Sequence, residues 1–598
     1  MRSLVAFSGH AGVPSIAVSW TGMDAVGRTL VLAHTEAAVA VATNEQRTVR
    51  AVLAGSLANG RQLRTALTGR HAVAGRDDAE VVAHLYEERG IQCVKALRGG
   101  FALALWDQRL QRLLIARDQL GLVPLYYVAD DGRLAVASRL PVVAALPGLG
   151  GTWDATALDA FVTLGCVPPP ATFHTGIRQL GPGELAVWED GRLRTQRYWQ
   201  LTFPERRMLR SDVPAALREQ VTDAVRLRQA GVVAGMLLSG GLDAAAVLAL
   251  TRGEGPTPAR AYTGTFAHDD DGRQAARLAA RAGIEHVVVD AAHEWRTAIE
   301  ALLEAHGGPV AGPELAAVHL AAVRARADVG VVLAGLGGEE VFGGSLPVRS
   351  AEQLRRYRDL PAVAREAAEL WARVAPADWA TGVRRLVQDQ RLAPLELYGR
   401  RACLLLPEER RSLYTPEALA VLGEAGPWSV LSALFADAVS CGAVDALDAL
   451  HHVELTLRLP ARAAALGAAC AGLDVRIPLA DHRLAQFVAS VPAPRRGSAR
   501  ERQLLLRAAL KDAVPAAVAR RPHAVTVPPA SAWTAVLDEL LSPARVAAQG
   551  FFRPEVVSRL RDEHVSGRRD HAARLWAIML ATHWLERQPM PEAVREAG

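Results

Sequence analysis

Lysine is nearly absent from this chain. Among 598 residues the only lysines are Lys95 and Lys511, so almost all of the 68 basic side chains are arginines. The basic residues exceed the acidic ones by only five, and they form no dense basic run. A nucleic-acid-binding surface normally shows clustered positive charge, so we expect no nucleic-acid partner.

Cysteine and long apolar runs are also scarce. Five cysteines are scattered singly, without a CxxC pair, which fits neither a cysteine zinc motif nor a disulfide framework. This usage favours a reducing cytoplasm. The N-terminus lacks a long apolar region with a cleavage site, and no stretch approaches the ~18 apolar residues of a membrane helix. We therefore expect a cytoplasmic protein without a membrane span.

One stretch dominates what is present, VVAGMLLSGGLDAAA at 232–246. An apolar strand runs into Ser239-Gly240-Gly241 and then into an alanine-rich helix. Glycines let backbone N–H groups and the positive end of a helix face a phosphate. Asp243, in the first helical turn, has the oxygen ligands that Mg²⁺ prefers. The pattern predicts a nucleotide phosphate site.

The surrounding periodicity changes along the chain. Up to about residue 150 short alternating runs bounded by turn residues predict β-hairpins, with one amphipathic helix at 77–90. From 213 onward, apolar strands alternate with helices, which predicts a parallel sheet. Ligands bind such sheets at the carboxyl ends of the strands, so the turns after Leu238, Thr265 and Ala334 are expected to converge.

Two glycine-rich segments resemble signatures of known families. SGGLD at 239–243 resembles the SGGxDS loop of ATP pyrophosphatases, with Ala244 in place of the last serine. GLGGEEVFGG at 335–344 resembles the SGxGxDExFGG signature of the synthetase domain, with Glu339 in place of the aspartate that binds magnesium. The extra methylene of Glu339 shifts the carboxylate by about 1 Å, which can cost roughly a hundredfold in rate.

Further segments extend the resemblance to nearly the whole chain. The segment 55–64 is similar to a stretch of class II glutamine amidotransferase domains. The segments 75–107 and 116–127 resemble the segments that follow this stretch in asparagine synthetase. The segment 472–492 resembles GLExRxPFLDxRL and retains Arg476, Pro478 and Asp481. The segment 501–529 resembles KxxLRxAxxxxLPxxVxxRxKxGFxxP.

This resemblance to the asparagine synthetase-like family implies the fold and the site. The expected fold class is α/β plus α+β: an N-terminal Ntn-type αββα sandwich over 1–205, then a parallel-sheet ATP pyrophosphatase domain with helical additions over 206–598. The implied cofactors are ATP and Mg²⁺. Implied catalytic residues are Asp243, Glu339 and Glu340, with Asp243 and Glu339 as metal ligands. Implied ATP-binding residues are Leu237, Leu238, Ser239, Gly240, Gly241, Asp243, Thr265, Ala334 and Gly335.

The N-terminus separates this chain from glutamine-dependent relatives. Those use an N-terminal cysteine as nucleophile, whereas position 2 here is Arg2 and the first cysteine is Cys93. A branch of the family without that cysteine uses an amine already on its substrate. AHGGPVAGP at 305–313 and the loop with Leu336 look most like the lasso peptide cyclases of that branch. The resemblance implies a precursor core peptide as substrate, and a leader peptidase and a leader-recognition protein as partners.

The departures from the family pattern leave alternatives open. The family lysine before GF, which stabilises charge on an acyl-adenylate, is missing near Pro522 and His523. His523 or Arg521 then takes its place, or adenylation is weak. The alternatives are a catalytically impaired homologue that binds peptide or scaffolds a partner, and another amide ligase of the family, such as an asparagine or β-lactam synthetase.

Overall fold

The computed structural model describes residues 41–588 except 74, 76, 131–132, 147–148, 150, 206–211, 252–257, 267–269, 375–376, 424–425, 493–502, 517 and 519–529. It also describes three strands before residue 41. Arg2, Arg521, Pro522 and His523 lie outside the described residues. Within the described residues no helix is long and apolar enough to cross a bilayer.

The first part of the chain forms two antiparallel six-stranded sheets. The spatial orders are β10-β8-β9-β1-β3-β2 and β12-β11-β7-β6-β5-β4. The strands are β1 Leu4–Ser8, β2 Val18–Met23, β3 Thr29–His34, β4 Ala42–Thr43, β5 Val49–Leu57, β6 Gly99–Asp107, β7 Arg112–Arg117, β8 Tyr126–Asp130, β9 Arg133–Ala137, β10 Arg178–Gln179, β11 Glu184–Glu189 and β12 Arg192–Arg197. The helices are α1 Gly60–Leu67, α2 Asp78–Arg89, α3 Leu140–Ala144 and α4 Ala155–Leu164, with a 3₁₀ helix at Gly90–Ala96.

Strand β6 shows how the layers arise from sequence. Successive side chains of a strand point to opposite faces. Phe101, Leu103 and Leu105 pack with α2 on the outer face, and Ala102 and Ala104 pack against the second sheet. Helices α3 and α4 cover the outer face of that second sheet. The result is the expected αββα sandwich, and the predicted fold class is confirmed.

The helix predicted over 77–90 is α2. Asp77 begins it by accepting a hydrogen bond from the Ala79 amide at 2.9 Å, the usual role of an N-cap carboxylate. Gly90 ends it with a positive φ of 51°, a conformation that glycine adopts without steric cost. The predicted helix is therefore correct in position, but it is not amphipathic, since its buried residues Ala79 and Val81 to Tyr86 point to all of its faces.

The second part is a parallel five-stranded sheet in the order β15-β14-β13-β16-β17. Its strands are β13 Gly235–Leu237, β14 Arg260–Thr265, β15 Glu285–Asp290, β16 Val331–Ala334 and β17 Asp474–Arg476, and all neighbouring strands run parallel. Its helices up to the end of β16 are α5 Val213–Gln229, α6 Leu242–Leu250, α7 Asp270–Ala282, α8 Trp295–His306 and α9 Glu314–Arg326. This is the sheet that the alternating pattern predicts.

Helices follow the fourth strand of this sheet along the chain. They are α10 Gly338–Phe342, α11 Leu346–Arg358, α12 Ala362–Val374, α13 Ala377–Asp389, α14 Pro394–Ala402, α15 Pro407–Leu413, α16 Pro416–Leu422, α17 Trp428–Ser440, α18 Ala446–Val453, a π-helix at Glu454–Arg458, α19 Leu459–Ala469, α20 His482–Ala489, α21 Leu504–Ala509, α22 Ala530–Leu540, α23 Pro543–Gln549, α24 Pro554–Val565 and α25 Ala572–Leu585. Trp576 on α25 packs with Trp295 on α8, and the C-terminal helices share a core with α3, α4 and α8 rather than with the parallel sheet.

Buried ion pairs join the sandwich to the parallel-sheet part. Asp481 Oδ2 accepts from Arg98 Nε at 2.8 Å and from Arg228 Nη1 at 2.9 Å. Arg476 Nη1 donates to the Arg228 carbonyl at 2.7 Å. The retained Asp481 therefore holds the two parts together, whereas the retained Arg476 supports Arg228 within the second part. No observation tests the boundary between 205 and 206, which stays a prediction.

Candidate active site

The glycine loop after β13 lies at the carboxyl edge of the parallel sheet. The Leu238 amide donates to the Tyr262 carbonyl of β14 at 2.9 Å, which ties the loop to the neighbouring strand. A Cβ on Gly240 would lie 2.7 Å from Asp271 Oδ1 and 2.8 Å from its carbonyl oxygen. Glycine is therefore required here by packing, not only by the turn. The loop leads into α6, whose first-turn amides have no intrahelical acceptor.

The second glycine loop, after β16, packs directly against the first. A Cβ on Gly335 would overlap the backbone at Ala244, and one on Gly338 would overlap the Asp243 carboxylate. Gly337 has a φ of 95°, in the left-handed region. Absence of side chains at these positions therefore lets Asp243 and the start of α10 approach each other.

A cavity of 260 Å³ lies between these loops. Most of the sequence-predicted site residues line it: Leu237, Leu238, Ser239, Gly240, Gly241, Asp243, Ala334, Gly335 and Glu339. Thr265 and Glu340 do not line it, although Thr263 and Gly264 from the same strand as Thr265 do. The turns after the three strands lie at one edge of the sheet, and the roles assigned to individual residues stay predictions.

Carboxylates concentrate at one side of this cavity. Burial, together with the charges of Glu339 and Glu340, raises the pKa of Asp243 well above its usual range. A hydrogen bond of 2.6 Å from Gln503 Nε2 to Asp243 Oδ1 opposes this rise. Glu340 is buried and forms an ion pair with Arg462, whose Nη1 also lies 3.7 Å from Glu339 Oε2.

These carboxylates fit a divalent cation. Neighbouring carboxylates repel each other, which raises their pKa values, and a cation bound between them offsets this repulsion. Asp243 and Glu339 both line the cavity, and Glu339 contributes to the raised pKa of Asp243. The donor set is carboxylate oxygen, which Mg²⁺ prefers. Asp243 and Glu339 are the residues that would hold it.

Arg462 and Gln503 line the cavity but were not among the predicted site residues. Arg462 lies on α19, in a helical segment where no motif marks it. Gln503 falls at the first position of the KxxLRxA pattern, where the family has lysine. The alignment of Gln503 with the first position of that pattern could have identified it as a site residue. Arg462 reaches the site only through packing, which no sequence pattern indicates.

The position of the family lysine, near Pro522 and His523, lies outside the described residues. Among the described residues that line the cavity there is no lysine, and Lys511 is exposed on the surface. The cavity-lining cation of the described residues is Arg462. The substitution of His523 or Arg521 for the lysine falls outside the described residues.

Comparisons with known proteins agree with this arrangement. A family model described as asparagine synthase matches residues 216–586, and one described as a glutamine amidotransferase domain matches residues 24–199. A putative asparagine synthetase (glutamine-hydrolyzing) of Mycobacterium bovis is 29% identical over 566 residues, covering 89% of this chain and 83% of that protein. Asparagine synthetase (glutamine-hydrolyzing) 1 of Bacillus subtilis is 23% identical over 571 residues, covering 92% and 88%.

Among solved structures, glutamine phosphoribosylpyrophosphate amidotransferase from B. subtilis, complexed with ADP and GMP, is 15% identical with a TM-score of 0.23. The match covers 48% of this chain and 65% of that one, so this chain spans a little less than two thirds of it. The asparagine synthase match alone covers more than half of the 598 residues. The chain therefore belongs to the asparagine synthase family of ATP-dependent carbon–nitrogen ligases.

Proposed function

We propose that this chain is a macrolactam-forming ligase of the lasso peptide cyclase type. It activates the side-chain carboxylate of an Asp or Glu in a core peptide with ATP, and the peptide's own N-terminal amine closes the ring. The observation that carries this proposal is a combination: both glycine loops, Asp243 and Glu339 line one cavity, while the cysteines of the amidotransferase-like domain are buried.

Cys93 and Cys166 are the cysteines of that domain, and both are buried. Burial raises the pKa of Cys93 to about 12. A thiol reacts as its thiolate, so neither side chain has the properties of a glutaminase nucleophile. An amine that is part of the substrate removes the need for ammonia from glutamine.

The cavity supplies the groups that adenylation needs. The Ser239–Gly241 loop and the first-turn amides of α6 would bind the phosphates, since helix N-termini bind anions. Asp243 and Glu339 would hold Mg²⁺, which would offset phosphate charge. Arg462 keeps Glu340 and Glu339 partly neutralised, so that the carboxylate side of the cavity accepts an anionic substrate.

The proposed reaction balances in two steps. A peptide carboxylate oxygen attacks the α-phosphorus of ATP, and pyrophosphate leaves. The N-terminal amine then attacks the acyl carbon, AMP leaves and the amine loses a proton. The peptide loses one water in total. Effective ring closure requires the amine and carbonyl to be held about 3 Å apart, so the enzyme must also hold the peptide in a folded conformation.

The proposed partners follow from this role. The substrate is the core peptide released from its precursor, so a leader peptidase and a leader-recognition protein act before this enzyme. Proximity of those proteins to the cyclase would limit loss of an unprotected peptide.

Two observations favour a second candidate, a catalytically impaired homologue that binds peptide or scaffolds an active partner. Ala244 has no hydroxyl where the loop pattern has serine. Gln503 is neutral where the family pattern has lysine, and it lines the cavity beside Asp243. Each change removes a polar contact with phosphate.

The test is pyrophosphate release by the purified chain with Mg²⁺ and ATP, with and without a core peptide, together with the mass of the peptide. Peptide-dependent release with loss of one water supports the cyclase. Release that depends on aspartate and ammonium, with no peptide, contradicts it and identifies an asparagine synthetase. Peptide binding without release supports the impaired homologue.

A further inference from the structure

A cluster of histidines and glutamates lies in the amidotransferase-like domain, away from the ATP cavity. It joins three segments: the turn between β4 and β5, the segment between α1 and α2, and helix α2. One ligand atom each from Glu45, His71 and His84 lies within 4.8 Å of the other two. Glu87, one turn after His84 on α2, faces the same histidines.

Two separations within the cluster suit a tetrahedral metal ion. Glu87 Oε2 lies 3.3 Å from His84 Nδ1 and 3.7 Å from His71 Nδ1. In a tetrahedral zinc site with bonds of about 2.0–2.1 Å, neighbouring ligand atoms are about 3.4 Å apart. Both separations are close to that tetrahedral edge.

Two of these atoms lack hydrogen-bond partners. His84 is only 1% exposed, and its Nδ1 and the Glu87 Oε2 atom are buried without a hydrogen bond. The two atoms are close, yet their geometry is not that of a hydrogen bond. Buried polar atoms are nearly always satisfied. A cation between them would satisfy both at once.

The remaining atoms of the cluster are held in place by outer contacts. Asn44 Nδ2 donates to Glu87 Oε1 at 2.7 Å, which directs Oε2 towards the histidines. His71 Nε2 lies 3.2 Å from Glu88 Oε1, so its Nδ1 is left facing Glu87. Metal-binding histidines typically donate their other ring nitrogen to a carboxylate in this way.

The local charge also favours a cation. Glu45, Glu87 and Glu88 are three acids, and Arg70 pairs with Glu88 at 2.8 Å. Imidazole nitrogen with carboxylate oxygen is a zinc-type donor set, whereas Mg²⁺ and Ca²⁺ prefer oxygen alone.

A second cluster, formed by Asp437, Cys441 and His452, serves as a comparison. Asp437 already accepts from Arg197 at 3.2 Å and contacts His452 Nε2 at 3.0 Å. An arginine on the carboxylate satisfies it and repels a cation. This cluster therefore supplies an internal control.

We propose that Glu45, His71 and His84 bind one structural Zn²⁺ ion, with the Glu87 carboxylate beside both histidines. The ion fixes the β4–β5 turn and the α1–α2 segment onto α2. This site is independent of the reaction at the ATP cavity.

The test uses the tag-free full chain, from which EDTA has removed bound metal. Excess Mg²⁺ is kept in the buffer so that it competes with zinc for the carboxylates of the ATP cavity. Calorimetry with Zn²⁺ is expected to give one ion per chain, and Co²⁺ to give the visible absorption of a tetrahedral site. Saturating zinc should raise the unfolding midpoint by several degrees, because ligand binding to the folded state stabilises it.

His71→Ala and His84→Ala are expected to weaken zinc binding at least a hundredfold, and Glu45→Gln about tenfold. His293→Ala, an exposed histidine, and His452→Ala should bind zinc as the unchanged chain does. If His84→Ala fails to fold, as judged by circular dichroism, the more accessible His71 and Glu45 variants decide. Absence of stoichiometric binding, or binding lost in His452→Ala and kept in His71→Ala, overturns the proposal.

Discussion

Gln503 Nε2 donates a 2.6 Å hydrogen bond to Asp243 Oδ1 across the proposed ATP cavity. Gln503 has a φ of 46°, a left-handed conformation that is uncommon for a residue with a side chain. It directly precedes α21 and stands where the family pattern begins with lysine. A neutral amide therefore contacts the carboxylate at a position where the pattern places a positive charge.

A negative and a positive charge at position 503 should have opposite effects on nucleotide affinity. Gln503→Glu keeps the shape but puts a second carboxylate against Asp243, and we expect Mg²⁺-ATP affinity to fall at least tenfold, about 1.4 kcal/mol. Gln503→Lys should strengthen ATP binding, because a cation there attracts phosphate. Titration calorimetry measures both. Gln486→Glu, at a site that contacts Thr202, is the control, and equal ATP affinity in both glutamate variants would contradict the assignment.

Gly338 should tolerate no side chain. A Cβ there would overlap the Asp243 carboxylate, so Gly338→Ala must displace Asp243 or the start of α10. We expect at least a tenfold loss of Mg²⁺-ATP affinity, about 1.4 kcal/mol or more. Gly330→Ala is the matched control, since a Cβ at Gly330 meets no atom within 4 Å. Similar affinities for the two variants would show that Asp243 does not need its present position.

Mg²⁺-ATP binding should strengthen with rising pH. Burial and the neighbouring Glu339 charge raise the pKa of Asp243 well above its usual range, so its carboxyl is protonated at pH values where an exposed aspartate is ionised. Only the ionised form binds a cation, so affinity increases as pH rises through the raised pKa. Asp243→Asn should remove this dependence, and Asp512→Asn, whose side chain is 72% exposed, should retain it. A flat profile for the unchanged chain would refute the prediction.

Asp481 should stabilise the contact between the two parts of the chain. Its side chain is fully buried between Arg98 and Arg228, and Asp481→Asn leaves two buried guanidinium groups without a full counter-charge. We expect a loss of about 3–5 kcal/mol in unfolding free energy. Asp223→Asn, at a side chain 36% exposed, should cost less than about 1 kcal/mol. Denaturant unfolding measures the loss of unfolding free energy in each variant. Similar losses in the two variants would contradict a stabilising role for the buried Asp481 ion pairs.

The buried ion pairs of Asp481 also predict how stability changes at low pH. Burial alone would raise the pKa of Asp481, but the charges of Arg228 and Arg98 hold it well below its usual range. A carboxyl whose folded pKa is depressed contributes its stability above its unfolded pKa of about 3.9 and loses it as pH falls towards the folded pKa. The unchanged chain should therefore lose more stability below about pH 4 than Asp481→Asn does.

Local pattern predicted the elements of the fold closely. Helix α2 lies where the sequence pattern places it, because N-cap and C-cap chemistry of the kind seen at Asp77 and Gly90 depends only on neighbouring residues. The parallel sheet follows from the alternation of strands and helices. By contrast, Arg462 reaches the cavity from α19, more than 200 residues after the glycine loop, and no local pattern marks such a residue.

The sequence by itself determined the order of strands and helices, the two glycine loops and the family resemblance, because these depend on short-range steric and hydrogen-bonding rules. It also established the scarcity of lysine. Only the tertiary structure decided which groups share the cavity with Asp243, that Asp481 lies between two arginines, and that Glu45, His71 and His84 meet. Those contacts join residues that are distant along the chain, and packing brings them within the few ångströms over which charge, metal binding and hydrogen bonding act.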